Sequence, residues 1–474
     1  MQNNTGFRTE RIEEPELLFA NDGTAKDPRA GLLRYGPYPR NEHHDESVVN
    51  VGIIGSYRSV SDMEALLRKM RTGFESTQKR ERWKQPFPGL GLDSELKLNY
   101  YKSEKWIRRI TDKQLSDIRQ VPDRDDRIDF ALDTINGLIG RICRQTPTPD
   151  IVFVALPEEI VEMCSDPNTD TEKIRTRDGG DFRSQLKITG MSNEPIQLIT
   201  PRSLQGGDNV QERSEIAWNL AVAMLYKGRE GRPWKSAELR SRTCYAGISF
   251  YQPRSEDADM RASVAQVFID DGSHFVIEGG PVEPVAATHP QTHLSYEDAK
   301  RIVEKIIEGY GKRRDTKPER LVLHKKSPFK EDETRGFSDA ASEITAKDFL
   351  WIQDDHPLRL LTTGDEPPLR GTLAIAPHEE EFYLFTTGFV PEQCVYNNSG
   401  LPSPLTIRPH DEYFTGDYRQ VCREILKFTK LDWNSSDFCR RLPVTISIAE
   451  DVSDILAEPR ASQIDLQSHY YYYM

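Results

Sequence analysis

Apolar and polar positions along the first half of the chain predict strands and helices in alternation. The stretch VVNVGIIGSY (48–57) is an apolar run that ends at a glycine turn, which is typical of a buried strand. Apolar residues at helical spacing come next, and Ser61 is the predicted N-cap of that helix. The alternation continues with helices over 128–145 and 215–227 and with strands at 149–157 and 195–201. Over 48–235 this order predicts an α/β unit with a largely parallel sheet.

A different order of elements follows the segment GREGRPWKS (228–236), where the first pattern ends. Three strands, a helix and a short strand are predicted after it, at 244–251, 262–272, 274–280, 295–314 and 320–323. This order is that of an RNase H-like fold. The chain is therefore expected to consist of an N-terminal extension, a first domain and a second domain, which span 1–48, 49–235 and 236–474. The extension is expected to pack on the second domain.

Composition and charge restrict the class of protein only a little further. The net charge of −13 weighs mildly against a nucleic-acid protein, although the local density of Lys and Arg decides phosphate binding. The six cysteines include no CxxC pair, which favours reduced thiols over disulfides or a zinc site. No apolar run reaches the roughly 18 residues of a membrane span. The N-terminus also has no apolar signal-peptide core, so we expect a cytoplasmic protein with no membrane partner.

Basic and amide side chains at a regular spacing mark a candidate phosphate site in the first domain. Arg183 and Lys187 are four residues apart and share a face if the segment is helical. Gln197 lies ten residues after Lys187, and Lys227 ends the apolar helix that carries Asn219 two turns earlier. Cations and amide donors that converge at the rim of an α/β sheet suit a bound phosphate. The alternative is a solvated helix face, which is the commoner meaning of an Arg-x-x-x-Lys pair.

This segment resembles the MID domain of Argonaute proteins, and the stretch NLAVAMLYKGREGRPW matches a helix and turn of that domain closely. EPELLFANDGTAKDPRAGLLRYGPY resembles the opening of short prokaryotic Argonautes. CYAGISFY, AQVFIDDG, PERLVLHKKSPF and SGLPSPLTIRP resemble successive strands of a PIWI domain. The resemblance covers nearly the whole chain in order. It implies an α/β protein with a Rossmann-like MID domain followed by an RNase H-like PIWI domain, and no N or PAZ domain.

The resemblance also assigns roles to individual residues of the first domain. The residues implied to bind the 5′-phosphate of a guide are Arg183, Lys187, Gln197, Asn219 and Lys227. A Mg²⁺ ion is implied between that phosphate and a C-terminal carboxylate, here that of Met474. A divalent cation at that place would remove the repulsion between two anions.

The positions that would cut nucleic acid in a PIWI domain are degenerate by the same resemblance. Catalytic members place carboxylates around two metal ions. Here the first position is Ser249, the second falls at Lys325 and Lys326, and the third keeps Glu450. Cations at the second position would repel Mg²⁺ and attract a phosphate backbone. The resemblance therefore implies no cleavage, and Lys325 and Lys326 are expected to contact the backbone of the guide–target duplex; a solvated turn is the alternative for these two lysines.

The resemblance to short prokaryotic Argonautes also implies a function for this chain. The chain is expected to load a small guide RNA and to recognise complementary single-stranded DNA by pairing. It would act in a heterodimer with an APAZ-containing effector protein that oligomerises once target is bound. The effector is a sirtuin-like or TIR NADase in many members and a nuclease in others, and NAD depletion would stop an invaded cell. The sequence specifies neither the effector type nor the guide length.

Two other functions fit the sequence less well. The first is an active guided nuclease with a rearranged metal site, built from Glu450, Asp451, Asp270 or Asp271, and Glu278. Asp270-Asp271-Gly272 is more typical of a hairpin turn. The second is an RNA-binding protein that acts without an effector partner.

Overall fold

The structure of the chain is a computed structural model. It describes residues 6–39, 47–76, 85–165, 174–175, 180–191, 193–206, 211–228, 231–237, 239–254, 261–269, 273–281, 293–376, 381–391, 393, 396, 400–463 and 467–474.

Strands and helices alternate in the described part of the chain. The strands are β1 (Arg8–Arg11), β2 (Leu17–Leu18), β3 (Thr24–Ala25), β4 (Ser47–Gly55), β5 (Leu98–Arg109), β6 (Ile151–Ala155), β7 (Ile196–Ile199), β8 (Lys235–Ser236), β9 (Thr243–Tyr251), β10 (Arg261–Ile269), β11 (His274–Pro281), β12 (Arg320–Lys325), β13 (Ala346–Gln353), β14 (Thr372–Ile375), β15 (Phe382–Leu384) and β16 (Leu405–Pro409). The α-helices are α1 (Pro28–Tyr35), α2 (Tyr57–Thr72), α3 (Asp112–Gln120), α4 (Arg124–Cys143), α5 (Glu158–Cys164), α6 (Phe182–Met191), α7 (Pro201–Gln205), α8 (Arg213–Lys227), α9 (Tyr296–Arg314), α10 (Glu331–Ala340), α11 (Tyr418–Phe428) and α12 (Val444–Leu456).

The first of two main sheets is parallel and has the strand order β5-β4-β6-β7. Its central strands are buried on both faces, because successive residues such as Phe153 and Val154 enter different apolar cores. Strands of this kind are continuous apolar runs in sequence, which is why they could be predicted. The predicted N-cap Ser61 is wrong. Helix α2 begins at Tyr57, and the hydroxyl of Ser56 accepts the hydrogen bond from the Ser59 amide.

The second sheet has nine strands, in the order β1-β14-β15-β16-β13-β12-β9-β10-β11. Strands β9, β10 and β11 are antiparallel neighbours, and β12 lies parallel to both β9 and β13. Helices α9 and α10 contribute Ile302 and Phe337 to the core on one face of this sheet. Helices α11 and α12 contribute Ile425 and Ile448 to the core on the other face. The five strands from β11 to β13 form the RNase H-like centre of this sheet.

The N-terminal segment is attached to the second sheet by strand pairing and by a buried ion pair. Strand β1 pairs with β14 at the edge of the sheet. Glu14 accepts hydrogen bonds from Arg370 Nε at 2.8 Å and from Lys430 Nζ at 2.7 Å, and all three side chains are buried. Strand β2 pairs with β3 and with β8, so the same segment also reaches the joint between the two halves of the chain.

Strand β9 and helix α12, which carry Ser249 and Glu450, are in close contact. A Cβ atom added at Gly247 would lie 1.9 Å from the carbonyl oxygen of Thr445, at the start of α12. The Thr445 hydroxyl is in turn 2.7 Å from Nδ1 of the buried His324 on β12. Only glycine therefore allows α12 to approach the sheet this closely.

We predict that Gly247→Ala lowers the free energy of unfolding by about 3 kcal/mol, because α12 must move away from β9 to accommodate the methyl group. Gly137→Ala is the matched control, since nothing lies within 4 Å of a Cβ at this exposed position in α4. It is expected to raise stability by about 0.5–1 kcal/mol through helix propensity. Urea denaturation measures both changes, and equal stability of the two variants would contradict the close contact.

Candidate nucleic-acid interface

The C-terminal end of α8 places the ammonium group of Lys227 in a buried polar site. Its Nζ donates hydrogen bonds to Gln197 Oε1 at 2.8 Å, to the Ile196 carbonyl at 3.1 Å and to the main-chain oxygen of Met474 at 2.9 Å. Ile196 and Gln197 are the first residues of β7. The site therefore joins a helix end, a strand of the parallel sheet and the last residue of the sequence.

Helix α6 brings two further cations to this site. Lys187 Nζ donates to the carbonyl oxygen of Tyr473 at 2.9 Å, one residue before Met474. Arg183 lies one turn earlier on α6, and its side chain is exposed. The predicted spacing of Arg183 and Lys187 on one helix therefore holds, and both side chains lie near Lys227.

Three cations and one amide form this site, which we call the phosphate cluster (Arg183, Lys187, Gln197 and Lys227) after its predicted ligand. Burial and the neighbouring charge of Arg183 lower the pKa of Lys187 to about 7, although Asp451, Asp181 and Asp454 partly oppose this shift. Burial, together with the charges of Lys187 and Arg183, holds the pKa of Lys227 well below its usual range. An anion that entered the cluster would relieve both shifts, because an opposite charge favours the protonated amine.

Asn219 does not belong to this cluster, and its predicted role is wrong. Its Oδ1 accepts hydrogen bonds from the Ser436 amide at 3.1 Å and from the Ser436 hydroxyl at 3.2 Å. Eight residues of helix separate Asn219 from Lys227. They correspond to about 12 Å along the axis and to about 80° of rotation beyond two full turns. The side chain of Asn219 therefore leaves α8 in a different direction.

The oxygens near Met474 fit an ammonium group better than a magnesium ion. Mg²⁺ requires close to six oxygen ligands in octahedral geometry. Here the Met474 main-chain oxygen and Gln197 Oε1 both accept hydrogen bonds from Lys227. With Lys187 and Arg183 also nearby, a metal ion would face three cations. The residues present therefore do not fit Mg²⁺ at this place, and Lys227 supplies the positive charge that the resemblance assigns to the metal.

The three degenerate positions of the second domain lie close together beside α12. Ser249 on β9 accepts a hydrogen bond from the Ser453 hydroxyl at 3.0 Å. Lys326, directly after β12, places Nζ 2.8 Å from Glu450 Oε1 and 3.4 Å from Asp354 Oδ1. Partial burial opposes the charge of Lys326, but the hydrogen bond and charge of Glu450 raise its pKa above the usual value. A permanent ammonium group thus lies between two carboxylates, where an RNase H-like nuclease needs metal ions.

Ser453 and Asp354 are members of this site that the sequence alone did not reveal. Ser453 follows Glu450 by three residues on α12, which places the two on one helix face. Asp354 directly follows β13, the parallel neighbour of β12. Carboxyl ends of parallel strands meet at one edge of a sheet, so an acidic residue after the buried run of β13 was the available signal.

Lys325 is not a surface residue, and its predicted contact with a duplex backbone is wrong. Strand β12 continues two residues beyond the predicted end at Leu323. Since alternate residues of a strand share a face, Lys325 points into the same core as Leu321 and Leu323. Its side chain is fully buried and forms an ion pair with the buried Glu333 of α10. A buried charge pair of this kind is unavailable to solvent or to a phosphate.

The residues of the alternative nuclease site do not form a described cluster. Glu450 is paired with Lys326, whereas Asp451 accepts a hydrogen bond from the Tyr470 hydroxyl at 3.3 Å. Asp270 and Asp271, and the side chain of Glu278, lie outside the described residues. In the described part of the chain no group of three or more His, Cys, Asp and Glu side chains is arranged to hold a metal ion. Likewise, none of the described helices is long and apolar enough to cross a membrane.

Comparisons with known proteins identify the fold. No protein-family model matches the chain. A curated protein argonaute of Cereibacter sphaeroides (strain ATCC 17025 / ATH 2.4.3) is 22% identical over 292 residues, which are 55% of this chain and 35% of that protein. Clostridium butyricum Argonaute, solved with a guide DNA and a 19-mer target DNA, matches with a TM-score of 0.66 at 15% identity, over 96% of this chain and 54% of its own. The chain has the fold of the MID–PIWI part of Argonaute proteins.

Two further structures support the same fold. Drosophila Piwi matches with a TM-score of 0.62 at 15% identity, over 98% of this chain and 56% of its own. Marinitoga piezophila Argonaute in complex with a 5′-OH guide RNA matches with a TM-score of 0.56 at 12% identity, over 100% of this chain and 60% of its own. The chain spans about a third of the curated relative. The expected fold class, a Rossmann-like MID domain followed by an RNase H-like PIWI domain, is confirmed. The exact domain boundaries remain a prediction.

In this Argonaute-like fold the protonation of Lys187 is expected to control phosphate binding. Below pH 7 the amine is charged before an anion arrives. Above pH 7 an anion must bind together with a proton, so its affinity falls by up to about tenfold per pH unit until the raised pKa of the complex is reached. We therefore predict weaker binding of a 5′-phosphorylated oligonucleotide as the pH rises from 7 to 9.

Lys187→Arg is the matched variant for this titration, because a guanidinium group stays charged throughout the range. Its affinity for the same oligonucleotide should change less with pH, because only Lys227 can then lose its proton. Fluorescence anisotropy at constant ionic strength measures both proteins, with a 5′-hydroxyl oligonucleotide as the reference. Equal pH slopes for Lys187→Arg and the unmodified protein would contradict the role of this amine.

Proposed function

We propose that this chain binds a small guide RNA by its 5′-phosphate and uses it to recognise complementary single-stranded DNA. The observation that carries the proposal is the phosphate cluster, in which the amines of Lys187 and Lys227 lie at the end of a MID-like sheet and have no Asp or Glu side chain as a described hydrogen-bond partner. The matched structures include one with a guide DNA and a target DNA and one with a guide RNA, which supports nucleic-acid partners. RNA as guide and DNA as target follow from the resemblance to short prokaryotic Argonautes.

A terminal phosphate suits the cluster for electrostatic reasons. It carries a charge near −2 at neutral pH and several strong acceptor oxygens. It can therefore accept hydrogen bonds from both amines and from the exposed guanidinium of Arg183. The phosphate would compete with the main-chain oxygens of Tyr473 and Met474 for the same donors. Charge-assisted hydrogen bonds of this kind contribute about 1.5–3 kcal/mol each.

We further propose that the PIWI domain does not cut the target. Two-metal cleavage needs a cluster of carboxylates around the scissile phosphate. The side chain of Ser249 is uncharged, and Lys326 forms ion pairs with Glu450 and Asp354 where metal ions would be needed. Lys326 is partly exposed and remains our proposed contact to the duplex backbone, because a phosphate can replace its carboxylate partners.

The output of recognition would then come from a partner protein. We propose a heterodimer with an APAZ-containing effector, a NADase of sirtuin-like or TIR type, which depletes NAD in antiviral defence by abortive infection. Each stacked pair of a duplex contributes about 1.4 kcal/mol. Coupling between two sites usually needs only about 1–3 kcal/mol. Pairing of guide and target therefore supplies enough free energy to switch a partner even when no bond in the nucleic acid is broken.

The phosphate site is tested by Lys187→Ala and Lys227→Ala. Each variant should bind 5′-phosphorylated guide RNA about 10- to 100-fold more weakly, because one charge-assisted hydrogen bond is lost. Binding of 5′-hydroxyl guide RNA should change less than threefold. Lys113→Ala, at an exposed position of α3 in the same domain, is the control and should bind both guides normally. Equal losses for the two guides at fixed salt would remove the phosphate site.

The inactive PIWI domain and the effector are tested together with guide RNA, end-labelled target DNA, Mg²⁺ or Mn²⁺, and NAD. The chain alone should leave the target intact. Once the APAZ-containing partner is added, NAD should fall only when the complementary target is present. A guide-dependent DNA product that disappears in Glu450→Gln would show that the chain is a nuclease, and NAD loss without target would contradict the proposed switch.

A further inference from the structure

One side chain of the PIWI domain reaches across to the helix that carries Arg183 and Lys187. Glu458 lies two residues after α12, and its side chain is almost fully buried. Its Oε1 accepts a hydrogen bond from the amide of Asp181 at 2.9 Å, directly before α6. Its Oε2 accepts a hydrogen bond from Gln185 Nε2 at 3.2 Å. The carboxylate therefore holds the first turn of α6 at two points.

Both of these hydrogen bonds lie on the side of α6 opposite to the face that carries Arg183 and Lys187. Gln185 is two residues from both Arg183 and Lys187, so it points about 200° away from each around the helix. Glu458 thus binds the back of α6, and the two cations project from the front. A carboxylate at this end of a helix also interacts favourably with the positive end of the helix dipole. Rotation or displacement of α6 would break these contacts and move Lys187 at the same time.

Glu458 is itself fixed from within the PIWI domain. Arg254 Nη1 lies 3.3 Å from Glu458 Oε1, and the Arg254 amide donates to the Ala457 carbonyl at 2.9 Å. Burial raises the pKa of Glu458, and the hydrogen bond from Asp181 and the charge of Arg254 oppose that rise. A buried carboxylate with these partners is held in one position, unlike a carboxylate on a solvated surface.

We propose that Glu458 is a positioning residue for the guide phosphate. It holds α6 from the PIWI side, so that Lys187 and Arg183 point into the cluster around Lys227. The proposal rests on the proposed binding of a 5′-phosphorylated guide. It adds that the pocket is completed across the junction of the two domains by a residue that never touches the phosphate.

The proposal is tested by Glu458→Gln in the full chain. The amide oxygen can still accept from the Asp181 amide, and the Gln185 side chain can rotate so that its Oε1 accepts from the new NH₂ group. Both hydrogen bonds nevertheless lose their charge, and the charge opposite Arg254 is lost. The ratio of affinities for 5′-phosphorylated and 5′-hydroxyl guide RNA should fall roughly fivefold, as expected when charge-assisted hydrogen bonds become neutral ones. The affinity for the 5′-hydroxyl guide itself should stay within twofold, which a general loss of structure would not allow.

Two further variants make the result specific. In Glu458→Gln combined with Gln185→Glu, donor and acceptor are exchanged, and most of the affinity ratio should return. Arg460→Ala is the control, because Arg460 also joins this segment to the MID domain but through Asp129 and Asp133 of α4. It should leave the ratio unchanged. If Glu458→Gln fails to fold, Gln185→Ala removes the same hydrogen bond from the other side and should lower the ratio in its place.

The outcomes separate this inference from the proposed function. If Lys187→Ala loses the preference for 5′-phosphate whereas Glu458→Gln and Gln185→Ala keep it, the guide site stands and the positioning role is wrong. If Lys187→Ala has the same preference as the unmodified protein, the phosphate site itself is wrong. Failure of the double variant to recover the ratio, or an equal loss in Arg460→Ala, would also overturn the positioning role.

Discussion

The buried amine of Lys227 and the partly buried amine of Lys187 are the constraint around which the MID-like half of the chain is arranged. Burial and nearby positive charge lower the pKa of Lys187 and of Lys227. The protein offsets this cost with the main-chain oxygens of Tyr473, Met474 and Ile196 and the amide of Gln197. Among the described residues, no Asp or Glu side chain accepts a hydrogen bond from either amine. The arrangement is therefore one in which an anion is favoured, and α6, α8, β7 and the last residues of the chain converge on that place.

Three other lysines illustrate how the surroundings of a charge determine its role. Lys430 and Lys325 are buried and paired with Glu14 and Glu333, which makes each an internal link between segments. Lys326, the next residue after Lys325, is partly exposed and lies between two carboxylates. Lys227 has no Asp or Glu side chain among its described hydrogen-bond partners. A lysine with an acidic partner contributes to structure, whereas a buried lysine without one favours an anionic ligand.

The sequence predicted the elements that are buried on both faces and the residues that lie one helical turn apart. The apolar runs of β4 and β6 identify the parallel sheet, and the spacing of Arg183 and Lys187 identifies a cationic helix face. The strand β5, LNYYKSEKWIRR, was missed because it lies at a sheet edge and carries polar residues on its exposed positions. A local sequence pattern therefore predicts a strand well when the whole strand is buried, and less well when part of it faces solvent.

The structure differs from the prediction where the exact end of a strand, or the rotation about a helix axis, determines the environment of a side chain. The two extra residues of β12 turn Lys325 from a predicted surface cation into a core residue. An extra rotation of about 80° takes Asn219 away from Lys227. Glu458 and Gln185 are 273 positions apart, so no local pattern connects them. Contacts of this kind depend on how two domains pack, and a single sequence carries no direct record of that packing.

The same packing places the two functional regions on one continuous segment. Helix α12 carries Glu450 and Ser453, which contact Lys326 and Ser249, and the chain then reaches Glu458 and the first turn of α6. Glu450 and Glu458 are eight residues apart, which corresponds to roughly 12 Å along a helix. The start of α12 is pressed against β9 at Gly247, so the segment has little freedom to move independently of the sheet. If a duplex drew Lys326 away from Glu450 and a guide phosphate bound at α6, as we propose, both would act on this one segment, so the two proposed binding events would be mechanically linked.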